Sequence, residues 1–206
     1  MERRDAIKNI ALSTGVIISS GTFLSLLQSC QQKDKIEWVP GFFSNEEAIT
    51  VSEVANIILP ADELPGALDV NVPQVIDLLM KDVFEAAYSD KFKKGLKVFS
   101  DKFQEEYGAP FHEGSQENQQ AFVEKLYNLP DEESKAILDL VKKKTAPAGR
   151  EENYLLYSFL VTERDLTIKS YFTSEKVGEE ILSYDPVPGR QEGCVPVEDI
   201  GNVWSI

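Results

Sequence analysis

Apolar positions recur at helical spacing along most of this chain, and serine, proline and glycine mark the breaks between them. Ser44-Asn45-Glu46-Glu47 reads as a capping box, with Ser44 as N-cap and Glu47 three positions on. Behind it Ala48, Val51, Val54, Ala55 and Ile58 share one helical face, and Leu59-Pro60 stops the run. Ala61 to Val72 is a turn-rich loop. Pro73 suits a first helical position, and Val75, Ile76, Leu79, Val83 and Phe84 follow on one face. The clearest stripe is Phe92, Leu96, Phe99, Phe103 and Tyr107, closed by Gly108-Ala109-Pro110 and expected to be core. Phe122, Val123 and Leu126 mark a further helix, and Ile137, Leu138 and Val141 another. Tyr154 to Phe172 reads as a long, largely apolar helix, and Ser174 to Tyr184 as a short last one.

No segment sustains period-two alternation with β-branched residues, so the expected fold is an all-α bundle of about six or seven helices. From Ser183 onward Pro186, Pro188, Pro196, Gly189, Gly193 and Gly201 predict that no helix survives. That tail keeps Tyr184, Val187, Val195, Val197 and Trp204. It therefore needs a surface to lie on, either its own helices or a partner.

The first thirty residues follow a different pattern. Arg3-Arg4 precedes Lys8 and a mildly apolar run, a twin-arginine arrangement. Leu27-Gln28-Ser29-Cys30 places a thiol directly after a small residue, as lipoprotein processing requires. The run from Ile10 to Leu27 is diluted by eight serine, threonine and glycine residues. It therefore suits a cleaved signal better than a retained span of about 20 apolar residues. The expected organisation is a signal peptide at 1–29, a lipidated tether at 30–43 docking through its aromatics, a helical domain at 44–184, and an irregular tail at 185–206. Such a chain would be exported and lipid-anchored at Cys30 on the periplasmic side of a bacterial membrane.

Charge narrows the partners. Removing Arg3, Arg4, Lys8, Glu2 and Asp5 with the signal leaves 18 basic against 33 acidic residues, a formal −15. That surface repels nucleic acid and anionic headgroups, so membrane contact is expected from the lipid alone. With 42 % hydrophobic residues, general disorder is excluded. Once Cys30 is lipidated only Cys194 remains of the two cysteines, so the domain is held by packing and not by an internal disulfide. Cys194 itself reads as a small buried hydrophobe.

Chemistry-bearing motifs are sparse. His112, the single histidine, sits in a polar loop without a nucleophile elbow and reads as a capping or surface residue. HxxxH, ExxH and CxxC spacings, CxxCH haem sites and Gly-rich phosphate loops do not occur. Asp62, Glu63 and Asp69 do not follow EF-hand spacing and read as turn caps. Lys142-Lys143-Lys144 reads as a solvated helix end. No catalytic, cofactor or metal site is expected in this chain.

Three stretches carry a resemblance: the twin-arginine leader, ILPADELPGALDVNVPQVIDLL (Ile58–Leu79) and YFTSEKVGEEILSYDPVPGRQEGCVP (Tyr171–Pro196). Together they resemble the gluconate 2-dehydrogenase subunit 3 family, the small subunit of membrane-associated flavin dehydrogenases. The resemblance implies a non-catalytic subunit. The FAD would lie in a large partner of the glucose–methanol–choline type acting on a sugar or sugar acid, with a cytochrome c subunit or other acceptor taking the electrons. It implies that the small subunit supplies the export signal, so that a flavin-loaded partner crosses folded. It also implies partner contacts at Pro65, Gly66 and Asp69, and at Tyr171, Phe172, Tyr184, Asp185, Pro186, Pro188, Gly189, Arg190, Gly193, Cys194 and Pro196. The same prolines and glycines also suit intramolecular turns, and a stand-alone lipoprotein scaffold is the competing reading. The lipid cysteine is not a universal part of the family pattern, which would move anchoring onto this subunit.

Overall fold

Ser44 opens the helical domain as a reciprocal cap: its hydroxyl accepts from Glu47 N–H (3.2 Å), and its own N–H donates to Glu47 Oε2 (2.8 Å). The computed structural model describes residues 36–143, 145–185, 187, 189 and 194–205. In chain order the helices are α1 (Asn45–Ile58), α2 (Val72–Leu78), α3 (Ala86–Tyr107), α4 (Gln116–Tyr127), α5 (Asp131–Val141), α6 (Glu151–Phe172), α7 (Glu175–Glu180) and α8 (Val197–Ile200). A π-helical turn, Leu79–Val83, extends α2, and a 3-10 turn, Phe111–Glu113, precedes α4. The domain is all-α, with no strand among the described residues.

Helix α6 is the axis, and α3 packs along it more extensively than any other pair of elements pack. The predicted stripe is the reason. Phe92, Leu96, Phe99 and Phe103 are all buried, and their rings meet Phe159 of α6, Phe111 and Phe122 at centroid distances of 4.9–5.3 Å. Gly95 permits the close approach, since a Cβ there would meet the Leu155 carbonyl and lie 2.6 Å from Phe159 Cβ. Gly108, at φ +77°, then ends α3 in the left-handed region that favours glycine.

Several expectations need correction. Pro73 occupies the second helical position of α2, behind Val72. The π turn rotates the following residues, so Met80 is buried while Val83 stands in water. On α5 the buried residue is Leu140, with Leu138 left exposed. The last helices differ too. α7 ends at Glu180, well short of Tyr184, and the tail does carry one short helix, α8. Pro196 before it and Glu198 and Asp199 in its only turn are favourable starting chemistry. Cys194 is exposed and not buried.

The aromatic end of the tether is docked by one carboxylate. Asp77, buried on α2, accepts from three successive backbone N–H groups: Gly41 (2.7 Å), Phe42 (3.0 Å) and Phe43 (3.0 Å). Lys93 closes the arrangement from α3. Its ammonium donates to the Phe42 carbonyl (3.2 Å), lies 4.8 Å from the Phe42 ring centroid and pairs with Glu47 at 3.2 Å.

Candidate functional site

The segment from Leu59 to Val72 is irregular but tightly tied. Ala67 N–H donates to the Leu59 carbonyl (2.8 Å), Asp62 N–H to Leu64 (3.0 Å), and Val72 N–H to Ala67 (3.0 Å). The acidic side chains serve as turn caps, as expected: Asp62 Oδ1 accepts from Leu64 N–H and Asp69 Oδ2 from Gly66 N–H, both at 2.8 Å. Ala67, Val70 and Val72 are buried beneath the loop, whereas Leu64 and Leu68 are 51 % and 45 % exposed. Asn71, left-handed at φ 58°, turns the chain into α2.

Gly66 has a structural reason of its own. A Cβ there would lie against Ala61 N, 2.8 Å from the Pro60 carbonyl carbon and 2.9 Å from the Leu59 oxygen, all backbone atoms that cannot swing aside. Gly66→Ala is therefore expected to destabilise the isolated domain by about 2 kcal/mol, as overpacking does. Urea unfolding of the variant measures this; an unchanged midpoint would mean that the loop opens freely around the added methyl.

The last turns of α6 adjoin this loop. Tyr171 is buried, and its phenol is pushed above the usual tyrosine range first by burial and then by the Asp62 and Asp69 carboxylates. Its ring meets Phe172 edge-on at 5.4 Å, and Phe172 is 43 % exposed, with Ile168 also exposed one turn earlier. Two stretches more than ninety residues apart in sequence thus approach each other, the Asp62 and Asp69 carboxylates lying near enough to Tyr171 to act on its phenol.

The tail is held at Ser183. Its N–H donates to the Val203 carbonyl and its carbonyl accepts from Ser205 N–H, both at 2.9 Å, around a parallel bridge to Trp204. Its hydroxyl donates to the Ile200 carbonyl at 2.7 Å, and the Asn202 amide donates to the Ile181 carbonyl at 2.8 Å. The chain end thus returns on its own domain while Tyr184, Val187, Val203 and Trp204 stay exposed. Asp185 accepts from Val187 N–H (3.2 Å), and Gly189, Cys194 and Pro196 are exposed. Pro186, Pro188, Arg190 and Gly193 lie outside the described residues, as do Arg3, Arg4, Lys8 and Cys30.

His112 lies in the 3-10 turn on the wall of a cleft of about 310 Å³, with Nε2 3.9 Å from Glu113 Oε1. Other residues lining the cleft serve the fold. Glu47 caps α1 and pairs with Lys93, and Lys97 pairs with Asp101 at 2.6 Å. No group of three or more His, Cys, Asp or Glu residues among the described ones is placed to hold a metal ion, and no described helix is long and apolar enough to cross a membrane.

Sequence reasoning also missed a buried acid on α6. Glu163, on α6, is fully buried, and neither carboxylate oxygen has a hydrogen-bonding partner among the described residues. Burial pushes its pKa up to about 8. Thr167, one turn on, is likewise buried with its hydroxyl unpartnered. From α4, Tyr127 donates its hydroxyl to the Leu160 carbonyl at 2.8 Å, and its own pKa is raised by burial and then by the charge of Glu163.

The family model of gluconate 2-dehydrogenase subunit 3 matches residues 45–189, a span that takes in α1 through α7 and the Leu59–Val72 loop. No curated protein and no solved structure matches the chain.

Proposed function

Since this chain belongs to the gluconate 2-dehydrogenase subunit 3 family, we propose that it is the non-catalytic small subunit of a flavin-dependent sugar or sugar-acid dehydrogenase complex. Its task is to escort and tether a large flavoprotein of the glucose–methanol–choline type, which holds the FAD, reads the substrate and passes electrons to a cytochrome c subunit or other acceptor. The observation that carries this reading is the family match across α1 to α7, joined to a backbone-tied loop that holds Leu64 and Leu68 in water.

The leader supplies the export half of the task. Flavin is inserted during folding, so the partner crosses loaded and folded, borne by Arg3-Arg4 of this chain. Cys30 supplies the tether. From Cys30 to Gly41, where Asp77 grips the backbone, the chain spans eleven residues. Fully extended they reach at most roughly 40 Å. The domain and its cargo are thereby kept close to the periplasmic face of a membrane.

Two variants in the producing cell test this. Arg3→Lys with Arg4→Lys is expected to strand the flavoprotein in the cytoplasm. Cys30→Ala is expected to release active complex from the membrane fraction. A flavoprotein still exported beside the double-lysine chain would refute the escort role. The competing reading, a stand-alone scaffold, requires that flavoprotein location be indifferent to both.

A further inference from the structure

The geometry points to the cleft beside His112 as a binding site for a small uncharged polyol, a molecule of monosaccharide size. The inference goes beyond the small-subunit reading and holds whether or not a flavoprotein accompanies the chain.

Three elements build the cleft, and their registers bring polar groups together on its walls. Leu96, Ser100 and Gln104 follow one another at four-residue intervals along α3. Glu46 and Thr50 do the same on α1, and Pro110 to Glu113 close the third side. Leu96 and Phe111, both buried, supply an apolar floor. The volume of about 310 Å³ falls at the lower end of the range for small-molecule pockets, about 300–1,000 Å³.

Part of the wall is already held by the fold. Glu47 accepts from Ser44 N–H and pairs with Lys93, and Lys97 pairs with Asp101 at 2.6 Å. The Thr50 hydroxyl donates to the Glu46 carbonyl at 3.0 Å. The Glu46 carboxylate, the Ser100 hydroxyl and the Gln104 amide have no such partner among the described residues. These three are the groups left to meet a ligand.

Their chemistry selects its class. Lys93 balances Glu47 and Asp101 balances Lys97, so the charge remaining on the walls is that of Glu46 and Glu113, the latter 3.9 Å from His112 Nε2. Such walls repel an anion. A simple cation would use the carboxylates and offer nothing to the Gln104 N–H groups. A hydroxyl donates and accepts at once, so neighbouring hydroxyls of a polyol serve both kinds of group. Its C–H face suits the apolar floor.

Isothermal titration of the full lipid-modified chain with D-glucose, in a sugar-free zwitterionic detergent, tests the site. Saturable binding is expected with a Kd of about 1–10 mM. D-Gluconate, a polyol of similar size carrying a carboxylate, and methylammonium, a bare cation, are each expected to bind roughly tenfold more weakly or less well still. Ser100→Phe, which fills the cleft, is expected to abolish glucose binding. Glu46→Gln combined with Gln104→Leu, both at exposed positions, is expected to weaken it about tenfold without shifting thermal unfolding. Glu105→Gln, exposed on α3 and outside the cleft, is expected to change nothing. Lack of saturable glucose binding up to about 50 mM would overturn the proposal, and so would binding that both cleft variants keep in full. Gluconate or methylammonium bound as tightly as glucose would overturn the assigned ligand class.

Discussion

Asp77→Ala is expected to lower the unfolding free energy by roughly 4 kcal/mol. Its carboxylate is buried and accepts from three consecutive N–H groups, and a hydrogen bond to a charged acceptor is worth more than a neutral one. Alanine leaves those donors without their acceptor and frees Gly41, Phe42 and Phe43 from α2. Phe43, buried against Phe92 with ring centroids 5.9 Å apart, then loses its backbone anchor. Asp77→Asn keeps one acceptor oxygen but points an amide at donors, so an intermediate loss is expected. Urea unfolding gives the size of the effect, and chymotrypsin cleavage after Trp38 and Phe42 gives its location. A variant equally stable and equally resistant to cleavage would show that the tether end is held by its aromatic rings alone.

Glu163 governs the second large effect, and its sign is set by burial. With the folded pKa raised to about 8 from an ordinary 4.5, the folded chain keeps a proton that the unfolded chain has lost between those values. This contribution to stability is complete below the unfolded pKa and is lost as pH rises through the folded one, by at most about 1.4 kcal/mol per pH unit. Glu163→Gln removes the titration while keeping the shape. Near pH 5 the two proteins should be similarly stable, and near pH 8 the glutamine form should be the more stable by up to roughly 4 kcal/mol. Tyr127, facing Glu163 from α4, has its pKa raised mainly by burial to well above this window, so it titrates in neither chain over it. Denaturant titrations at pH 5.5 and 8 decide the matter. Equal pH slopes in both proteins would mean that Glu163 is charged and compensated in the folded state.

The residues that were legible in the sequence are those whose local pattern and tertiary role agree. The Phe92–Tyr107 stripe, the Ser44–Glu47 cap and the Gly108 stop each act within a turn or two of themselves, and each forms as its spacing predicts. Asp77 and Glu163 were not legible, because an acidic residue in a helix reads as solvated. What buries each of them lies far along the chain: the Gly41–Phe43 backbone for Asp77, and the helices packed around α6 for Glu163. Gly95 gave no local sign either, since its reason is the carbonyl of Leu155 on another helix. The Leu59–Val72 loop was half legible: it stood out as a family-like stretch, while the backbone clash that requires glycine at position 66 exists only in three dimensions. Val197–Ile200 did carry a starting signal, outweighed in the reading by the density of proline and glycine around it.

The role of the chain as the partner-holding subunit of a dehydrogenase is tested most directly by isolating it, lipid-modified, from membranes of the producing cell and analysing the particle by light scattering and flavin absorbance. The expected result is a defined complex in which this chain accompanies a large subunit carrying all the FAD, with sugar or sugar-acid oxidation present in the complex and missing from this chain alone. Recovery of a flavin-free monomer that leaves dehydrogenase activity behind, or turnover by the isolated chain itself, would contradict it.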